Sequence, residues 1–111
     1  LREEDKKMVE EKFDCITVIV QRGEANKVVK AAISAGAQGA TVFFGRGSGV
    51  RERIKLLGIT INPEKEIILI VTQKNITDKI FTAVVEAGKL KEPGQGFAYI
   101  QEVTRCIGFI E

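Results

Sequence analysis

Two amphipathic helical segments, each bracketed by β-forming runs, and a self-similarity between the two halves of the chain predict an α+β fold in the order β-α-β-β-α-β. The halves match without gaps at an offset of about 52 residues. Gln21 matches Gln73, Lys27 matches Lys79, Ala31 matches Ala83, and Ala35-Gly36 matches Ala87-Gly88. Two βαβ-like halves assemble into a ferredoxin-like sandwich, a four-stranded antiparallel sheet with two helices on one face. Right-handed crossovers carry both helices to the same side.

Residues 1–12 mix charges with a thin apolar face of Leu1, Met8 and Val9, and read as a charged tail before a domain at 13–111. The first strand, 14–21, sets Ile16, Val18 and Val20 on one face and Cys15, Thr17 and Ile19 on the other. Residues 23–36 carry Val28, Val29, Ala32 and Ile33 at helical spacing, with Gly36 as the stop. A second strand follows at 41–44. Val50, Ile54 and Leu57 then fall at i, i+4 and i+7, which predicts a short amphipathic helix closed by Gly58. Asn62-Pro63-Glu64-Lys65 reads as a turn. The third strand is 66–72, and the second helix 77–87 has Asp78 in its first turn and Gly88 at its end. Pro93-Gly94-Gln95-Gly96 is a loop, Phe97-Ala98-Tyr99-Ile100 opens the fourth strand, and an apolar finish runs from Val103 to Ile110.

At 111 residues, 44% hydrophobic and 29% charged, the chain has the make-up of one soluble domain. A net charge of +2 with few aromatics gives no basic stripe for nucleic acid. No apolar run reaches about 18 residues, so no membrane insertion is predicted. The absence of histidine removes the commonest general base and metal ligand. Neither metal nor catalytic residues are expected. Cys15 and Cys106 sit among β-formers and read as buried, reduced thiols of a cytoplasmic protein; no signal peptide is visible. The first and third strands are apolar on both faces, yet two helices cover only one. A closed oligomer burying the second face is the expected solution.

The stretch Gly45-Arg46-Gly47-Ser48-Gly49-Val50-Arg51-Glu52-Arg53 combines a strand end, loose backbone and clustered positive charge. Consecutive amides there form an anion-binding concavity, or else a Gly-rich turn with solvated arginines. Together with two further passages it resembles the nitrogen regulatory protein P-II family, and more narrowly its divergent PII-like relatives, over roughly 14–110. The passage Ala35-Gly36-Ala37-Gln38-Gly39-Ala40-Thr41-Val42 resembles the family's G-x-x-G-x-T-V. Gly47-Ser48-Gly49 stands at the G-F-G-R base of the T-loop. Gly88-Lys89 followed by Gly94-Gln95-Gly96 resembles the T-G-K-x-G-D-G-K B-loop.

The resemblance implies a homotrimer whose sheets line its centre, with adenine nucleotides (AMP, ADP or ATP) held as effectors between subunits and a T-loop that signals to a regulatory target protein. The ligand-binding residues it implies are Gly47, Ser48, Gly49, Arg51, Gly88, Lys89, Gly94, Gln95 and Gly96. The chain also departs from the pattern. Phe97 stands at the B-loop lysine position, Gly108 and Ile110 at basic positions of the final strand, Leu90-Lys91-Glu92-Pro93 lengthens the B-loop, and the shortened T-loop has no tyrosine. Lost charge-assisted contacts predict micromolar or weaker nucleotide binding with little gain from the γ-phosphate. Two alternatives share the fold: a ligand-free assembly module, and an acylphosphatase-like hydrolase using the turn Gln21-Arg22-Gly23-Glu24.

Overall fold

The computed structural model describes residues 12–47, 54–56, 59–61 and 63–109. The elements run β1 (Phe13–Gln21), α1 (Ala25–Ser34), β2 (Thr41–Arg46), β3 (Ile54–Leu56), β4 (Ile59–Ile61), β5 (Glu64–Gln73), a 3₁₀ turn (Lys74–Ile76), α2 (Thr77–Ala87) and β6 (Gly96–Val103). The four long strands form one antiparallel sheet in the order β2-β5-β1-β6. Each half is a split βαβ unit, as expected.

Alternation along β1 and β5 decides the core. Ile16, Val18 and Val20 meet Ile68 and Ile70 on the helix side, where Val28 and Ala32 of α1 and Ile80 and Val84 of α2 close over them. All of these are almost completely buried. The other face stays open. Its strand register aligns Phe43, Ile67, Ile19 and Phe97 in one apolar row across the sheet, and Thr41, Leu69, Thr17 and Tyr99 in the next. Phe43 is 45% exposed and Phe97 55% exposed. Cys15 shares this open face, so it is half-buried and not buried as the sequence suggested; Cys106 is half-buried too, and both are free thiols.

Both helices end in the same backbone motif. At α1 the Ala37 N–H bonds the Ala32 carbonyl (3.0 Å) and the Gly36 N–H bonds Ile33 (3.0 Å), with Gly36 at φ 117°. This is a Schellman end with glycine in the left-handed position. At α2 the Leu90 N–H bonds Val85 (3.0 Å) and the Lys89 N–H bonds Glu86 (3.2 Å), but the left-handed residue is Lys89, at φ 53°. Gly88, predicted as the stop, lies one position earlier with right-handed dihedrals. It is buried, and an added Cβ would come within 3.2 Å of the Val84 carbonyl.

The helix predicted around Val50, Ile54 and Leu57 is not formed. Ile54–Leu56 and Ile59–Ile61 pair as an antiparallel hairpin, Ile54 opposite Ile61 and Leu56 opposite Ile59; Val50, Leu57 and Gly58 lie outside the described residues. The same residues carry a period of two as well as of 3.6. Four β-branched or apolar residues alternating about a glycine-containing pair favour the hairpin, and three apolar residues make a poor isolated helix. Of the turn predicted at 62–65, Glu64 and Lys65 instead belong to β5, and Asn62 lies outside the described residues. The tail at residues 1–11 lies outside the described residues.

Candidate functional site

The ends of all four long strands meet at one edge of the molecule. β1 finishes there in Gln21, β2 in Gly45 and Arg46, β5 starts at Glu64 and β6 starts at Gly96. The register places Gly45 beside Lys65, Lys65 beside Gln21, and Gly96 beside Val20. The two glycine sites therefore lie at the same end of the sheet, on its opposite edges. Three strand spacings of about 4.8 Å put them roughly 14 Å apart.

The first site closes on itself. The Gly47 N–H donates to the Pro63 carbonyl at 3.2 Å, joining the chain on either side of the intervening segment. Ser48, Gly49 and Arg51 lie outside the described residues. The second site is built against β1. The Gln21 Nε2 donates to the Gly94 carbonyl at 2.9 Å. Gly94 and Gly96 both take positive φ (78° and 134°), and a Cβ on Gly96 would stand 2.1 Å from the Ile19 carbonyl oxygen. No other residue fits there. Lys89 and the glycines are joined by successive turns, the Glu92 N–H on Lys89 O (3.0 Å) and the Gln95 N–H on Glu92 O (3.5 Å). Gly88 belongs to the packing of α2, while Lys89 is exposed.

Three residues of β5 that the sequence reading assigned to a turn or a strand flank stand between the two loops. Lys65, assigned to a turn, lies on the open face between Gly45 and Gln21 and is only 6% exposed. Glu66 sits on the helix face, and its Oε1 accepts the N–H groups of Gly23 (2.8 Å) and Ala25 (2.9 Å). It supplies from β5 the N-terminal cap that Glu24 does not provide. Glu64 takes Arg22 on one carboxylate oxygen (3.0 Å) and Arg46 on the other (3.1 Å). These residues, with Phe44 and Gly45, line an open cleft of 590 Å³ on the helix side. Each lies more than 15 positions from its partner in sequence, so no local pattern announces the contact.

Phe97, at the position where the resemblance calls for lysine, stacks on Tyr99 with ring centroids 5.8 Å apart and planes 25° from parallel. It adds apolar area to the open face where a cation would have added charge. Among the described residues no cluster of side chains suited to a metal ion forms, and no helix is long and apolar enough to cross a membrane.

The family model described as nitrogen regulatory protein P-II matches residues 13–109. Among solved structures the chain is similar to Arabidopsis thaliana PII bound to citrate, at 23% identity over 85% of this chain and 79% of that one, with a TM-score of 0.66. It is likewise similar to the B. subtilis GlnK–ATP complex, at 18% identity over 84% of this chain and 83% of that one, with a TM-score of 0.66. At these identities the likeness is one of fold. None of the curated proteins matches the chain.

Proposed function

The chain belongs to the nitrogen regulatory protein P-II family, and from that premise we propose that it is a trimeric regulator that senses a small anionic effector at the loop end of its sheet and signals through residues 46–65 to a partner protein. The observation that carries this reading is the placement of Gly47, Gly94 and Gly96 at one end of the sheet on its opposite edges, with Lys65 on a strand between, so that neighbouring copies in a closed ring would bring the two loops together. Gly94 and Gly96 let the backbone come close to an anion, the Gly47 amide being already held by the Pro63 carbonyl, and Lys65 supplies charge. Ser48, Gly49, Arg51, Lys89 and Gln95 complete the proposed set. The two solved relatives bind citrate and ATP, both anionic; an adenine nucleotide is the effector we place first. With Phe97 in place of a cation, its affinity is micromolar or weaker and the γ-phosphate adds little.

The trimer follows from the open face. The apolar row Phe43, Ile67, Ile19 and Phe97 across four strands, with Leu69 and Tyr99 beside it, needs cover, and a closed ring of copies would supply it without leaving an unpaired surface. A hydrolase using the first strand-helix turn is disfavoured, because the Gly23 and Ala25 amides that would cradle a phosphate are already bonded to Glu66. The second reading is an assembly module with no effector, favoured by the stacking of Phe97 on Tyr99.

Titration calorimetry with AMP, ADP, ATP and citrate tests the proposal. Saturable binding of a nucleotide, with ADP and ATP nearly equal, is expected. No heat with any of the four would favour the assembly module, and nanomolar ATP binding would show that Phe97 does not weaken the site. Light scattering after size exclusion should give three times the chain mass, and a monomer at micromolar concentration would overturn the oligomer.

A further inference from the structure

We infer that the turn at residues 21–25 is the coupling element that links the loop at 94–96 to the segment at 46–64, with Gln21 and Arg22 as its two positioning residues. Contacts leave this turn in two directions. On the open face the Gln21 amide holds the Gly94 carbonyl at 2.9 Å. On the helix face Arg22 holds Glu64 at 3.0 Å, and the other oxygen of Glu64 holds Arg46 at 3.1 Å. Between them the Gly23 and Ala25 amides share one oxygen of Glu66, two residues along β5 from Glu64. Glycine loop and output segment sit on opposite edges of the sheet, and this turn touches both.

The turn is too tight to absorb a displacement. Its Glu24 N–H closes on the Gln21 carbonyl at 3.1 Å, with Gly23 at φ 92°. A shift of Gly94 that draws Gln21 with it moves Arg22 and the amides seated on Glu66. The links that yield first are the ion pairs of Glu64. Arg22 and Arg46 are 73% and 67% exposed, and such pairs are weak and screened. The side-chain ties at the base of the output segment can thus be exchanged by a small movement, while its backbone clasp, the Gly47 N–H on the Pro63 carbonyl, and the sheet beneath stay intact. The proposed function only names which loop receives the effector; the coupling is a property of the empty protein.

Hydrogen exchange on the ligand-free protein tests it, with the variants Gln21→Ala, Gln21→Glu and Arg22→Ala. Both Gln21 variants should speed exchange at 94–97 and also at 46–47 and 64–66, by roughly fivefold, the factor that losing one net hydrogen bond produces. Arg22→Ala should do the reverse, loosening 46–47 and 64–66 directly and 94–97 through the turn. Amides at 15–19 in the core should not change. The coupling is overturned if each variant disturbs only its own side, or if the increases at the loops merely equal an increase at 15–19. Because no ligand enters the experiment, its failure leaves the effector reading standing, and failure of every nucleotide to bind leaves this result unaffected.

Discussion

The two ends of the sheet are closed by different physics. At the loop end the joints are made by backbone: Gly96 against the Ile19 carbonyl, Gly47 bonded to Pro63, and the amides of Gly23 and Ala25 on Glu66. The ion pairs there are exposed. At the far end the joint is charge. The Lys74 ammonium bonds the buried Asp14 carboxylate at 2.8 Å and Glu102 at 3.3 Å, drawing together β1, β6 and the turn into α2. One end is therefore sensitive to shape and the other to protonation.

The sharpest way to break the comparison is Gly96→Ala. A Cβ 2.1 Å from a backbone oxygen at φ 134° has no flexible neighbour to displace, and the combined strain and overpacking should cost about 3–5 kcal/mol. Urea unfolding reads this directly, and a loss below about 1 kcal/mol would mean that β6 is free to slide and the loop end is not held by backbone fit.

Next comes Asp14→Asn at the far end, with an expected loss of about 2 kcal/mol at neutral pH from the charge-assisted bond. The pH dependence gives an independent check. Burial alone would raise the Asp14 pKa, but the Lys74 hydrogen bond, the Thr77 hydroxyl and the Lys74 charge together hold it below the usual carboxylate value. Its contribution is present above that usual value and lost as pH falls through the lowered one. Lys74 is raised, chiefly by its bond to Asp14 against an opposing effect of burial, with Glu102 adding to the rise. Its contribution is complete below the usual lysine value and lost only as pH climbs through the raised one. Wild-type stability should thus carry an acid limb that Asp14→Asn flattens. An unchanged acid limb would assign the far end to packing and not to charge.

Smaller effects sharpen the picture. Lys89→Gly should stabilise the protein by about 1 kcal/mol, since a left-handed conformation burdens a residue with a Cβ, and a thermal shift assay would detect it. If the same change weakens nucleotide binding in calorimetry, the strain is retained for contact with the ligand. Smallest of all, Arg46→Ala should alter stability by no more than about 0.5 kcal/mol. A larger loss in urea would show that the loop end, too, depends on charge.

Much of this was legible in the sequence, for reasons the two ends make plain. Alternation along residues 14–21 separated Ile16, Val18 and Val20 from Cys15, Thr17 and Ile19, and the register confirms both faces. Residues 77–87 read as a helix with the bounds observed. What escaped was either locally ambiguous or distant in sequence. Residues 54–61 satisfy two periods at once, and pairing chose the strand. The self-similarity that matched Gly36 with Gly88 missed that the left-handed position had moved on to Lys89, because dihedrals are not written in residue identity alone. Glycines at 94 and 96 were recognisable as punctuation. That one of them faces a carbonyl of β1, or that Glu66 caps a helix beginning at Ala25, depends on strand order, which no window of neighbours contains.

The bond between Gly47 and Pro63 has a consequence for how such a protein diversifies. It clasps the chain at the point where β2 leaves the sheet and β5 returns, so whatever lies between is a cassette hung from a fixed hinge. The entropy of closing a loop grows only logarithmically, and doubling its length adds about 0.6 kcal/mol. Segments of quite different length and sequence can therefore be exchanged at this clasp while the sheet, its helices and its glycine loop at 94–96 remain as they are, which makes residues 48–62 the natural graft site for a new surface.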